Sequence, residues 1–300
     1  MTTQQTRLTS LTPWIIGAIL AVLMAVSIFG GTRRLTDVTG FLVPVMAIIY
    51  LGVGLVVVAL NYQNIPTMFR AIVSGAFDFR FETMAGGFAG SAMMYGIKRG
   101  LYSNEAGQGS APNAAAAADV KHPVSQGLIQ MLGVFIDTIV VCSCTAFIIL
   151  LSNVPMNTEL SGIQLTQAAL ESQIGGWAQQ FLAVVLFLFA FTTIIGNYAY
   201  AETNVKYLHG NRFVLLVFRL LMLGFVYFGA VAEMSVVWDM GNLTMGVMTL
   251  INLVAIVLMY KTVLLLLKDY SVKVRRGIKE PEFKLSEHPV LKRKIKSNIW

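Results

Sequence analysis

The sequence predicts an all-α, polytopic membrane protein. Of its 300 residues, 56% are hydrophobic and only 12% are charged, whereas a soluble domain has about 25% charged residues. So little charge cannot provide a water-facing surface, which excludes a soluble domain and a disordered chain. Apolar runs that approach or exceed the roughly 20 residues of a membrane span lie at 14–31, 40–61, 125–152, 178–201, 212–233 and 241–267.

The net charge of +7 belongs to the C-terminal tail and does not indicate a nucleic-acid partner. Eleven of the 22 Lys and Arg residues lie in the last 40 positions. We therefore expect a polar N-terminal segment 1–13, a transmembrane domain 14–267 and a basic cytoplasmic tail 268–300. The tail is expected to lie near anionic lipid headgroups.

The distribution of basic residues between the spans predicts the orientation. Basic loops stay on the cytoplasmic side of a membrane, and the loops 153–177 and 234–240 contain no Lys or Arg. Basic residues occupy the alternate loops, at Arg33, Arg34, Lys121, Lys206 and Arg212. We expect the N-terminus outside and the C-terminus inside a bacterial inner membrane.

Residues 83–120 predict a seventh span that is interrupted. The run 83–97 is too short to span comfortably, and the polar, glycine-rich stretch 98–109 separates it from a second helical run that ends near Val120. Irregular backbone persists at membrane depth only beside a cavity or within protein, so a broken helix indicates a transporter site. An ordinary loop is the alternative. The expected unwound segment or gate contains Gly100, Ser103, Asn104, Glu105, Gly107, Gly109 and Ser110.

Several segments resemble the alanine or glycine:cation symporter family, which includes the bacterial sodium:alanine carriers. They are Arg99 to Pro112 (RGLYSNEAGQGSAP), His122 to Thr138, Phe189 to Gly196, and the region of Arg33–Arg34 and Val43–Pro44. The resemblance runs from about residue 12 to residue 265. It implies a partial LeuT-like fold with inverted repeats of five helices, in which the seven spans correspond to core helices four to ten.

The same resemblance implies a secondary active transporter and not an enzyme. It would move alanine or glycine with Na⁺ by alternating access, with H⁺ as the alternative coupling ion and no other metal or cofactor. The partner broken helix of the family would precede residue 1, so we expect an N-terminally shortened member. The alternative is a truncated, non-transporting remnant or a scaffold subunit that lacks the first broken helix.

The resemblance also implies substrate contacts at the end of the half-helix before the break. Ser91, Met93 and Met94 are expected to wall the small side chain of the substrate. Methionines at helical spacing are also common in plain packing, which is the alternative for this pair.

A second group of expected site residues lies on the span 178–201. By resemblance, Thr192 and Thr193 line the Na⁺ site, and hydroxyl oxygens suit a hard cation. Thr193 and Asn197, one helical turn apart, are expected to contact the substrate. The alternative for the threonines is a hydrogen bond to a preceding carbonyl of their own helix.

Acidic residues on the spans are expected to differ in role. Asp137 lies some 13 residues into the span 125–152, or about 20 Å deep. An acid at that depth is a functional candidate by default, but its motif favours a structural, hydrogen-bonded role. Glu202 and Glu233 lie at span ends, where we expect them to be solvated.

Overall fold

The computed structural model describes residues 3–30, 32–77, 96–97, 99–152, 154, 160 and 162–292, and all regular structure among them is helical. A π-helical turn covers Ile136–Cys142, and 3₁₀ turns occur at Tyr62–Asn64 and Leu285–Glu287. The α-helices are α1 (Thr3–Phe29), α2 (Thr32–Leu60), α3 (Ile65–Phe77), α4 (Ser110–Ala116), α5 (Pro123–Phe135), α6 (Ser143–Leu150), α7 (Ile163–Ile174), α8 (Trp177–Leu208), α9 (Arg212–Val231), α10 (Met234–Arg275) and α11 (Pro289–Lys292).

Among the described residues, six helical segments are long and apolar enough to cross a membrane, and they confirm the six predicted apolar runs. They are Thr12–Phe29, Gly40–Leu60, Pro123–Leu150, Trp177–Leu208, Arg212–Val231 and Met234–Arg275. The last of them, α10, has 42 residues. At 1.5 Å per residue it is about 63 Å long, twice the roughly 30 Å of a hydrocarbon core, so α10 extends well beyond the apolar layer. Of the predicted half-helix 83–97, only residues 96–97 lie within the described ranges.

The chain divides into two compact units. Unit 1 comprises Met1–Met94 and Ile139–Asp239, and unit 2 comprises Tyr95–Thr138 and Met240–Trp300.

Unit 1 has a core where α2, α6, α7 and α8 meet, built from fully buried residues such as Val57, Ile148 and Leu170. Helices α2 and α6 approach closely because Gly54 has no side chain. A Cβ there would lie 1.9 Å from Cys144 Sγ. A second core joins α1 to α8 and α9, with Met24, Ile28, Ile195 and Tyr198 buried at its centre.

Unit 2 contains a folded C-terminal segment, which lies within the predicted basic tail 268–300. Helix α10 continues past the predicted end of its span, and the segment 278–292 then packs back against it. Pro281, Phe283 and Leu285 are buried while Glu282 and Lys284 are exposed. This alternation is the two-residue period of an extended chain with one apolar face. Phe283, Leu285 and Leu291 form a cluster that packs against Leu265 and Leu266 of α10.

Candidate functional site

The predicted break lies in unit 2 and is shorter than the sequence indicated. Residues 99–104 are helical and residues 105–109 are not, before α4 begins at Ser110. The helix is interrupted by left-handed backbone at Glu105 (φ 52°), Gly107 (φ 79°) and Gly109 (φ 100°). A right-handed helix cannot continue through such residues.

The assignment of several residues to the unwound run is therefore corrected. Gly100, Ser103 and Asn104 belong to the helical turn before the break, and Ser110 is the first residue of α4. Within the described ranges, Glu105 is the one non-glycine residue with a positive φ. Backbone strain of this kind costs on the order of 1–3 kcal/mol and persists only where surrounding contacts enforce it.

Two side-chain hydrogen bonds join the start of the break to the π-helical turn Ile136–Cys142. Ser103 Oγ donates to Asp137 Oδ2 at 2.6 Å, and Asn104 Nδ2 donates to Thr138 Oγ1 at 2.7 Å. Asn104 also closes the break locally, because its Oδ1 accepts from the amide of Ala106 at 3.0 Å. Asp137 is thus hydrogen-bonded, as expected, and it lies on a π-helical turn, a feature frequent at functional sites.

Helix α10 holds the other side of the break. Asn252 Nδ2 donates to the carbonyl of Gly107 at 2.9 Å, and Tyr102 donates a hydrogen bond from its hydroxyl to Asn242 Oδ1. The side chain of Asn252 also lies in van der Waals contact range, 3.5 Å, of the place where a Cβ on Gly109 would be. Two asparagines of α10 therefore fix the helical turn and the break.

Two oxygen atoms at the break are buried and lack a hydrogen-bond partner within the described structure. Gln108 is 3% exposed; its Nε2 donates to the carbonyl of Leu101 at 3.0 Å, and its Oε1 is unpaired. Ser110 Oγ is unpaired as well. A buried polar atom without a partner is costly. An amide oxygen and a hydroxyl oxygen both suit a hard cation such as Na⁺.

In unit 1, the predicted residues of α8 do not share one face. Thr192 is buried, and its hydroxyl donates to the carbonyl of Phe189 at 3.0 Å. This is the hydrogen bond to a preceding carbonyl of the same helix that was the alternative for the threonines. Thr193 is exposed, because successive helical residues are about 100° apart. The expectation that Thr192 and Thr193 bind Na⁺ stays a prediction.

Asn197 is exposed on the face that also carries Thr193, four residues earlier. It lines an apolar cavity of about 400 Å³ in unit 1. The other lining residues are Leu20, Ile194, Met222, Phe225, Val226, Gly229 and Ala230. Asn197 is the polar side chain of this wall. Ser91, Met93 and Met94 lie outside the described residues.

Glu202 corrects a further expectation, because it is not solvated. It is 2% exposed, with Oε1 2.7 Å from Arg219 Nη2 and 3.1 Å from Lys206 Nζ. Arg219 Nε also donates to the hydroxyl of Tyr198 at 3.2 Å. The reason is that α8 continues to Leu208, which keeps Glu202 inside the helix pair that α8 forms with α9. Sequence reasoning missed Arg219, although a cation within an apolar run needs a partner.

Comparisons with known proteins give one matching family and several similar proteins. Residues 1–285 match the Sodium:alanine symporter family. The chain is 50% identical over 290 residues to an uncharacterized transporter of Haemophilus influenzae, covering 95% of this chain and 60% of that protein. It is 46% identical over 268 residues to the probable sodium/glutamine symporter GlnT of Bacillus subtilis, covering 89% and 55%.

A third relative, the sodium/alanine symporter AgcS of Methanococcus maripaludis, is 38% identical over 252 residues, which cover 82% of this chain and 54% of that protein. The chain thus spans between 54% and 60% of the length of these three relatives.

Proposed function

Because the chain belongs to the sodium:alanine symporter family, a family of transporters and not of enzymes, we propose that it acts in sodium-coupled uptake of alanine or glycine. H⁺ is the alternative coupling ion. The activity of the whole transporter is part of this proposal, because the chain spans only between 54% and 60% of the length of the three relatives above.

The observation that supports the proposal most is the break at 105–109. Its backbone is held by Asp137 and Thr138 on one side and by Asn252 on the other, through the contacts of Ser103, Asn104 and Gly107. Gln108 Oε1 and Ser110 Oγ remain unpaired. Unwound backbone fixed by neighbouring helices, with free oxygens, is the arrangement that transporters use for ions and substrates.

The proposed mechanism is alternating access in a LeuT-like fold. Ion binding would stabilise the break, the amino acid would bind, and movement of one helix group would expose it on the other side. Residues of the break, among them Glu105 and Gly109, are the proposed ligand-binding or gating residues of unit 2. Thr193 and Asn197 are those proposed for unit 1. Ser91, Met93, Met94 and an ion-binding role for Thr192 stay predictions.

The test is uptake of labelled alanine by proteoliposomes that contain only the purified full chain. We expect accumulation that requires an inward Na⁺ gradient and that unlabelled glycine reduces. Unlabelled glutamine belongs in the same competition, because the 46% identical relative is named for glutamine. Competition by glutamine but not by glycine would contradict the proposed substrate.

Thr193→Ala tests the proposed residue on α8. Loss of one ion or substrate contact worth about 1.4 kcal/mol would lower apparent affinity about tenfold. Thr203→Ala is the matched control, because Thr203 is an exposed threonine of the same helix whose hydroxyl bonds its own backbone at Ala199. Wild-type vesicles without any gradient-driven uptake would overturn the proposal and favour the alternative, a non-transporting remnant or scaffold subunit.

A further inference from the structure

His122 is buried where three parts of unit 2 meet: the start of α5, the end of α10 and the segment 278–292. Its side chain is 0% exposed. Nδ1 accepts from the amide of Val124 at 3.1 Å and so caps α5, while Nε2 lies 3.2 Å from Asp269 Oδ2 on α10. The ring thus connects two membrane helices that are far apart in sequence.

These contacts indicate the protonation state of the His122 ring. Nδ1 accepts an N–H, so it carries no proton, and the proton of the neutral ring is assigned to Nε2, which donates to Asp269. A second proton at Nδ1 would point at the Val124 amide and remove the cap of α5. It would also place a cation at the positive end of the helix dipole.

The charged groups around His122 come from α10 and from the C-terminal segment. Lys273 Nζ lies 2.9 Å from Asp269 Oδ2 and 3.2 Å from Glu287 Oε2, and His288 Nε2 lies 3.5 Å from Asp269 Oδ1. Asp269 is therefore already paired with an ammonium. A charged His122 would add a cation beside Lys273.

The C-terminal segment closes over this cluster through the ring of Phe283. The Phe283 ring makes an edge contact with His122, with ring centres 5.5 Å apart, and Tyr270 of α10 does the same at 5.0 Å. The amide of Phe283 donates to the carbonyl of Lys121 at 2.9 Å, and the Lys121 side chain pairs with Glu280. The segment is thus attached to the residue next to His122 in the chain.

We propose that His122 is a proton-sensitive latch, which in its neutral form holds the segment 278–292 against α5 and α10 and on protonation at Nδ1 releases it. Resting on the proposed function, the latch regulates the transport site. Helix α5 leads into the turn with Asp137 and Thr138, and α10 carries Asn252. Both helices that hold the break are joined by the latch.

The direction of the pH dependence follows from the burial of the ring. Burial lowers the pKa of His122 below its ordinary value of 6.5, and the hydrogen bond to Asp269 offsets this only in part. The released state therefore binds more protons than the latched state. The latch is fully stable above pH 6.5 and loses stability as the pH falls toward the lowered pKa. Its opening constant rises by up to about tenfold per pH unit in that window.

Hydrogen–deuterium exchange of the full chain in nanodiscs tests the latch directly. The readout is the protection of peptides that cover Phe283 between pH 8 and pH 5, corrected with an unstructured peptide of the same sequence. We expect protection that is constant above the ordinary His pKa and falls several-fold in acid. Protection that is independent of pH in the wild-type chain would overturn the proposal.

His122→Asn is the decisive variant, because the Asn oxygen keeps a cap for the Val124 amide but does not titrate. We expect it to remove the acid-dependent loss of protection, whereas the matched control His209→Asn, at an exposed histidine of unit 1, leaves that loss unchanged. His122→Gln, whose amide reaches toward Asp269, gives the same test where the Asn variant does not fold. Acid-dependent release that persists in both variants would overturn the latch.

Uptake at pH 7.5 and pH 5.5 separates this proposal from the proposed function. We expect acid to lower uptake in the wild-type chain but not in His122→Asn. A latch that opens in acid in a chain without any uptake would overturn the transport function and leave the latch standing. Uptake with pH-independent protection would overturn the latch alone.

Discussion

The hydrogen bond between Ser103 and Asp137 should contribute measurable stability to unit 2. Ser103 Oγ lies 2.6 Å from Asp137 Oδ2, and a hydrogen bond to a charged acceptor contributes about 1.5–3 kcal/mol. Ser103 is exposed and Asp137 is half-buried, which favours the lower end of that range. We expect a coupling energy of about 1.5 kcal/mol in a double-mutant cycle of Ser103→Ala and Asp137→Ala.

The assay is the free energy of unfolding in mixed micelles, measured for the wild-type chain, both single variants and the double variant. Ser103→Ala combined with Thr244→Ala is the control cycle, because the Thr244 hydroxyl bonds the backbone of its own helix at Met240 and Gly241. The control pair should be additive. A Ser103–Asp137 coupling below about 0.3 kcal/mol, which is the error of additivity, would show that this hydrogen bond does not stabilise unit 2.

Asp137→Asn extends the same prediction to transport. The Asn oxygen keeps the acceptor for Ser103 Oγ and removes the charge, so we expect stability close to wild type and uptake of at least about half the wild-type rate if the role is structural. Unchanged stability with abolished uptake would instead assign the carboxylate a direct part in transport.

Three further predictions concern packing, ion pairing and backbone strain. Gly54→Ala should destabilise unit 1 by about 1–3 kcal/mol, because its Cβ would lie 1.9 Å from Cys144 Sγ, and adding Cys144→Ala should restore thermal stability. Arg219→Leu should cost about 1.5–3 kcal/mol, because it removes one of the two cations that pair with buried Glu202 and leaves only Lys206, and Glu202→Gln in that background should recover part of it in the same melting assay. Glu105→Gly should change stability by less than about 1 kcal/mol but lower uptake, because Glu105 is a proposed ligand-binding or gating residue; uptake at the wild-type rate would remove its side chain from the proposed site.

The sequence predicted the apolar spans well, because hydrophobic runs of membrane length have one main structural solution. It also predicted that the helix after residue 97 would be interrupted. The length of the interruption depends on the side chain of Asn104, which bonds both Ala106 and Thr138. A contact with a residue 34 positions away is not visible in local composition.

Glu202 and the C-terminal segment also show that local composition does not reveal which charged residues become paired or buried. Arg219 and Glu202 are 17 positions apart on different helices, and only the packing of α8 against α9 brings them together. In the tail, the many Lys residues concealed the apolar alternation at Pro281, Phe283 and Leu285, which buries one face of the segment. The composition of this segment reflects its exposed charged side chains, whereas the alternation with a period of two indicates which side chains are buried.

Sodium-coupled recognition of alanine can be measured as equilibrium binding of labelled alanine to the purified full chain in detergent, with and without Na⁺. We expect saturable binding that depends on Na⁺, that glycine competes for, and that Thr193→Ala weakens about tenfold. Absence of saturable binding at every Na⁺ concentration, or equal binding with and without Na⁺, would contradict it.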